Sequence, residues 1–332
     1  MQYKRIHNLM VEINRLKIQI LFCCYFLSMG YQLKAQPEVM YSQYMSNMIN
    51  INPAYAGNRV ADNIMALYRR QWLNIKGAPI TYSLSWDRGL EGKGAQDINS
   101  GLYGDTSPAG YGMQLYKDQL GIETSQGVRF FYSYHLKFIS SSLTLGLSGG
   151  AMNYRAAYSE VSTTETDPVF QEDVNTVIPT AGIGALYETK QWYVGLSVPS
   201  LLHTRIMKNK MQITTGSDSH YFLTGGYIFD ISDDFKLKPS LMLKAVKGES
   251  LQYDINLNGW IQNTVGIGLS YRQKDALVGM VQFRLAPQIS IGYAYDYLIS
   301  NLKNFSTGSH ELILNFEFNM PQSSHIISPR YY

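Results

Sequence analysis

Runs of about ten residues in this chain alternate with period two, and the pattern returns from residue 60 to near the end. In QISIGYAYDY, 288–297, Ile289, Ile291, Tyr293, Tyr295 and Tyr297 fall on one face; Gln288, Ser290, Gly292, Ala294 and Asp296 fall on the other. TVGIGLSYR sets Val265, Ile267, Leu269 and Tyr271 against Thr264, Gly266, Gly268, Ser270 and Arg272. VRFFYSYHLKF sets Val128, Phe130, Tyr132, Tyr134, Leu136 and Phe138 against Arg129, Phe131, Ser133, His135 and Lys137. ELILNFEF opposes Leu312, Leu314, Phe316 and Phe318 to Glu311, Ile313, Asn315 and Glu317. Successive strand residues point to opposite sides, so each run predicts a two-faced strand.

The second face is the constraint. A soluble sandwich hides its apolar faces between two sheets and shows Lys, Glu and Thr outside. Here the second face is mostly Gly, Ser, Ala and Asn with scattered charges, and Trp72, Trp86, Trp192, Tyr295 and Tyr297 gather toward strand ends. Charged residues are only 16% of the chain, against about a quarter in soluble domains. An apolar outer band, aromatic borders and a polar interior describe a transmembrane β-barrel. No run after residue 35 approaches the length of an apolar spanning helix, and in lipid only helices and closed barrels satisfy the backbone. The expected fold class is therefore all-β: an outer-membrane β-barrel.

Fourteen antiparallel strands are expected, at 61–72, 79–88, 110–117, 124–138, 142–155, 178–188, 191–198, 219–229, 236–246, 250–260, 264–272, 276–284, 288–298 and 310–319. An even count returns both barrel ends to one side. With the N-terminus periplasmic, the long gaps 156–177, 199–218 and 299–309 all fall on the outer side. The short gaps 139–141, 189–190, 230–235, 261–263 and 285–287 fall on the periplasmic side, as outer-membrane barrels require. The long stretch 89–109 breaks this parity. The expected organisation is a signal peptide at 1–35, a periplasmic or plug segment at 36–60, a barrel at 61–319 and a tail at 320–332.

The signal is read from a basic start, a 13-residue apolar stretch IQILFCCYFLSMG and Ala35 at a cleavable position. Both cysteines, Cys23 and Cys24, lie inside it, so the exported chain has no thiol for disulfides, catalysis or metal. Five of the 28 Lys/Arg and one of the 25 Asp/Glu also lie there, leaving 23 basic and 24 acidic residues. That balance gives no basis for nucleic-acid binding. His135, His203, His220, His310 and His325 show no zinc spacing. Ser309, His310 and Glu311 are adjacent, and neighbours on a strand point apart, so a rim role is expected rather than a triad. The acidic DISDDF, 230–235, reads as a solvated turn, with calcium as the alternative. No catalytic residue, cofactor site or metal site is expected, and the chain is read as a non-enzyme. Arg129, Lys137, Asp254, Arg272, Arg284, Asp296 and Glu317 are assigned to the interior, where they pair or plug the lumen, or else line a channel. The acid-rich 160–176 carries no Lys or Arg, a surface for a basic partner or a solvated loop.

One segment does not alternate. QYMSNMININPAYAG, 43–57, precedes the first strand, and Pro53 and Gly57 suit a turn rather than a ladder. Followed by LYRRQW and GAPITYSLSWD, it resembles the N-terminal signature of the PorP/SprF family of the Bacteroidetes type IX secretion system. GIGALYETKQWYVGLSVPSLL, 182–202, is similar to that family's paired middle strands, and YAYDYLISNLKNFSTGSHELILNFEF to its final hairpin. The resemblance implies an outer-membrane barrel that helps secrete, or anchor at the surface, a partner adhesin bearing a type IX sorting domain, with gliding motility among its uses. It implies further partners in periplasmic, peptidoglycan-associated components and in outer-membrane lipid. Tyr44, Asn52, Pro53, Tyr55, Gly57, Arg70 and Trp72 are the candidate partner-binding residues. The segment itself is expected to cap or plug the barrel mouth, with a docking handle for periplasmic machinery as the alternative. The alternative function is passive diffusion, as a porin or hydrophobic-substrate transporter.

Overall fold

The computed structural model describes residues 40–58, 61–90, 108–160, 173–202, 206–208, 211–213, 219–247 and 249–318. The expected signal peptide, most of 89–109 and the 320–332 tail lie outside them. Seven strands lead the chain: β1 Asp62–Arg70, β2 Ile80–Gly89, β3 Ala109–Leu120, β4 Glu123–Lys137, β5 Ser141–Ala156, β6 Val174–Thr189 and β7 Trp192–Val198. A small hairpin follows, β8 Ile206–Lys208 with β9 Met211–Ile213. Then come β10 His220–Tyr227, β11 Phe229–Asp230, β12 Phe235–Val246, β13 Gln252–Ile261, β14 Val265–Arg272, β15 Ala276–Ala286, β16 Ile289–Leu298 and β17 Ser309–Phe318. β10 and β11 flank the single residue Ile228, and both pair with β12, so they form one barrel strand. Fourteen antiparallel barrel strands result. The sheet closes on itself because β1 pairs with β17 and β7 with β10.

Each expected strand is present. Two differences reflect partner length rather than local pattern. β6 begins at Val174, not 178, because β5 is long enough to pair with it through Pro179 to Val174↔Ala156. β3 and β4 run further toward each other than expected and are joined by Gly121-Ile122, with Gly121 at φ 58. The β8–β9 hairpin inside 199–218 carries no sequence signal strong enough to have been expected.

The two faces separate as the alternation requires. On β14, Leu269 is 66% exposed and Ser270 6%. Phe130, Tyr132 and Tyr134 of β4 are exposed, whereas Phe131, Ser133 and His135 are buried. This apolar outer face is the kind that an outer-membrane barrel presents to lipid. Both the start of β1 and the end of β17 lie at the end of the barrel that carries the short turns 138–140, 190–191, 262–264 and 287–288. Residues 157–173, 199–219 and 299–308 connect strands at the opposite, long-loop end, which also carries the tight turn 121–122, while the long connection 90–108 falls at the short-turn end, as its parity in the sequence requires.

An apolar outer face makes a specific prediction for insertion into lipid. Leu269→Arg, midway along β14, costs about 2–4 kcal/mol of folding stability. Urea-dependent folding into lipid vesicles measures it; an unchanged midpoint means that Leu269 does not face the bilayer.

Candidate functional site: a plug threaded through the barrel

The non-alternating segment fills the lumen. Residues 44–55 make three short 3-10 turns, Tyr44–Ser46, Met48–Asn50 and Pro53–Tyr55. Such turns keep a chain compact where no neighbouring strand offers a ladder. Pro53 occupies the first position of its turn, where its missing N–H costs nothing. The Asn52 side chain caps that turn by accepting from the Ala54 N–H at 2.9 Å. Gly57 then turns the chain at φ 58, and a side chain there would lie 2.3 Å from the Arg88 carbonyl.

Strand direction and the contacts fix the course of the plug. Ser42 and Gln43 meet Arg69, Asp296 and Glu311, all within three residues of the long-loop ends of β1, β16 and β17. Tyr44 and Met45 lie at mid-height: the Tyr44 hydroxyl accepts from Asn256 at 2.6 Å, and Met45 sits against Ser240 and Asn258. Asn52 donates to the Ala185 and Leu196 carbonyls at 3.0 and 3.4 Å. At the short-turn end, Ser133 donates to the Ala56 carbonyl, Asp87 accepts from the Gly57 N–H, and Asn58 donates to Glu188.

Apolar packing accompanies these bonds. Tyr41, Tyr44, Met45, Met48 and Ile51 pack with Met65, Leu67, Met242, Val278, Met280, Ala294 and Ile313 of the wall. Alternation alone suggested a polar interior; the apolar residues that point inward do so because the plug covers them. Cavities of ≈ 50, ≈ 10 and ≈ 20 Å³ border the plug, a scale that holds a few water molecules at most. The wall leaves no side-chain space at some positions. A Cβ on Gly146 would lie 2.1 Å from the Ala54 nitrogen.

The strongest contacts form a buried ionic cluster. Arg69, 1% exposed, reaches Asp296 at 2.8 Å and Glu311 at 3.1 Å. Arg272 reaches Asp254 and Asp296, each at 3.3 Å, and Asp275 at 3.2 Å. Register supplies two of these pairs, since Arg69 sits opposite Glu311 and Arg272 opposite Asp254. Three buried carboxylates face two buried guanidinium groups, and the plug supplies further donors. The Ser42 and Gln43 N–H groups each donate to Glu311 at 2.7 Å, one to each oxygen. The Ser42 hydroxyl donates to Asp296 at 2.5 Å and accepts from Arg69 at 2.6 Å. Buried charge is tolerated only when paired and hydrogen-bonded, and here the plug backbone completes the pairing.

Tyr44, Asn52, Pro53, Tyr55 and Gly57 therefore come together in the lumen. Arg70 does not join them and is exposed on the outer face, whereas Trp72, at the long-loop rim with its backbone N–H donating to Ser309 at 3.2 Å, packs against the core that plug and wall share. Arg69, one position earlier, is the arginine that meets the plug. Alternation through ALYRR carries that information, because Leu67 and Arg69 share the inward face. Of the charges assigned inward from sequence, Asp254, Arg272 and Asp296 meet in the cluster; Arg129 instead lies over the Tyr116 ring at 5.6 Å. Ser309 and Glu311 point inward, while His310 points outward beside Tyr295, with ring centroids 5.2 Å apart. That separation rules out a Ser-His-Glu triad at these three positions.

The fold and the threaded segment define an outer-membrane β-barrel with a lumen occupied by its own chain. A profile of the type IX secretion system membrane protein PorP/SprF matches residues 33–316, and the chain belongs to that family. No curated protein sequence matches the chain. Among solved structures, the chain is similar to the Acinetobacter baumannii outer membrane protein Omp33, with 11% identity, TM-score 0.47, and coverage of 79% of this chain and 100% of that one. It is also similar to the Ralstonia pickettii toluene transporter TbuX, with 8% identity, TM-score 0.45, and coverage of 88% and 97%. A Pseudomonas aeruginosa FadL homologue gives 9% identity, TM-score 0.44, and coverage of 87% and 98%.

Two substitutions separate the plug's receptor from the rest of the wall. Arg69→Ala strands buried carboxylates and costs about 3–5 kcal/mol, whereas Arg70→Ala, on the exposed face, changes stability by about 0.5 kcal/mol or less. Heat-dependent gel mobility of the folded barrel reads both. Gly146→Val forces the plug off the wall, and protease then cuts within 40–58 while the barrel stays folded. Gly279→Ala, which meets nothing within 4 Å, leaves the plug protected.

Proposed function

We propose that this barrel is a closed scaffold of the type IX secretion and gliding machinery, which helps secrete a partner adhesin or anchors it at the cell surface. The observation that carries the reading is the packed lumen. A barrel filled by its own buried chain offers rims and loops for work, rather than a channel. The loops 156–177, 199–218 and 299–309 are the surfaces for a secreted adhesin bearing a type IX sorting domain. The short-turn rim faces the periplasm, where peptidoglycan-associated components of the machinery dock. Outer-membrane lipid covers the apolar outer face. Export uses a cleaved signal at 1–35. The plug residues Tyr44, Asn52, Pro53, Tyr55 and Gly57 act in this reading by holding the rims in shape, and Trp72 and Arg70 act from the long-loop end of β1.

Deleting the gene removes one adhesin from the cell surface, and surface proteomics of the deletion strain identifies it. Unchanged display of every type IX substrate would sink the scaffold reading. Purified into planar bilayers, the intact barrel passes little steady current, while a variant lacking 40–58 conducts. A large, stable current through the intact protein favours the diffusion barrel instead.

A further inference from the structure

We infer that the polypeptide enters its own barrel from the cell-surface mouth, so that the exported chain begins its described path outside and reaches the periplasmic mouth before the first strand starts. The evidence is directional. Met40 lies beside Lys244, two residues from the long-loop end of β12, with the ammonium 3.4 Å from the sulfur. Ser42 and Gln43 are held by Arg69, Asp296 and Glu311, near the same ends of β1, β16 and β17. Fifteen or so residues later the contacts have crossed the lumen. Gly57 meets Asp87, two residues from the short-turn end of β2, and Asn58 meets Glu188, one residue from that end of β6. β1 then starts at Asp62 from that end.

Short turns mark the periplasmic side of outer-membrane barrels. Met40 is therefore on the outer side, although β1 starts and β17 ends on the inner side. The plug and β1 are consecutive arms of one hairpin-like path, and the remaining strands close around the inner arm. The ionic cluster lies where the path enters, so Glu311 and Asp296 grip the plug's first residues at the surface mouth. On the scaffold reading, this places the start of the plug on the same side as the loops offered to the adhesin, but the topology stands without that reading.

Single cysteines test it cleanly, because both native cysteines lie in residues 1–35. Lys303→Cys, exposed in the β16–β17 connection, marks the surface side, and Asp233→Cys, exposed in the β11–β12 turn, marks the periplasmic side. Met40→Cys is the probe. A membrane-impermeant maleimide applied to intact cells labels Lys303→Cys and Met40→Cys. Asp233→Cys is labelled only after the outer membrane is opened. If Met40→Cys follows Asp233→Cys, or stays unlabelled in opened cells with the barrel folded, the inference is overturned. An epitope inserted between Val39 and Met40 gives the second readout. Antibody binding to intact cells supports surface entry, and binding only after permeabilisation refutes it. Loss of the deletion phenotype's link to any adhesin would not alter either labelling result, so failure of the functional reading is distinguishable.

Discussion

Glu311 accepting two consecutive peptide N–H groups from the plug is the contact on which the interior depends. A carboxylate taken out of water needs donors on both oxygens, and this one obtains them from Ser42, Gln43 and Arg69. Arg69 in turn needs Asp296, and Asp296 needs Ser42 and Arg272. Removing the plug would leave Glu311 with two fewer donors and Asp296 without its hydroxyl. Removing the charges would leave the plug's first peptide groups unpaired in a closed space. Plug and wall are thus each a condition of the other's burial.

This dependence changes what the strands' inward face is for. A conducting barrel lines its lumen with polar groups that meet water. Here Met65, Leu67, Met242, Val278, Met280 and Ile313 point inward and meet Tyr44, Met45, Met48 and Ile51. The lumen is a protein core with a polar hub at its long-loop end and a second set of polar contacts, around Asp87 and Glu188, at its short-turn end. Small wall residues serve the same end, since Gly146 lets the Ala54 backbone approach to a distance that any side chain would block.

The sequence blocks that carry the family resemblance are the parts of this arrangement. QYMSNMININPAYAG is the plug. LYRRQW contributes Arg69, YAYDY contributes Asp296, and GSHE contributes Glu311. GIGALYETKQWYVGLSVPS contributes the Ala185 and Leu196 carbonyls that receive Asn52, together with Ser197, which donates to the Ile51 carbonyl at 2.8 Å. Segments more than a hundred residues apart in the chain thus meet on one 16-residue stretch, 42–57. The shared signature describes a fit between plug and barrel more than a surface.

Strand number, strand order by hairpins and the apolar outward face followed from the sequence alone, because period two is a local property that each run of about ten residues carries independently. The same alternation through ALYRR assigns Arg69 inward and Arg70 outward, yet the motif reading selected Arg70, which shows the limit of reading blocks without their pleat. The plug had no period to read. Its turns are short, its residues neutral, and its partners lie up to 269 positions away. Only closure of the sheet brings β1, β14, β16 and β17 around one point and sets Ser42 between their charges. The direction of threading likewise depends on which strand ends the plug touches, a relation between distant segments that no local pattern encodes.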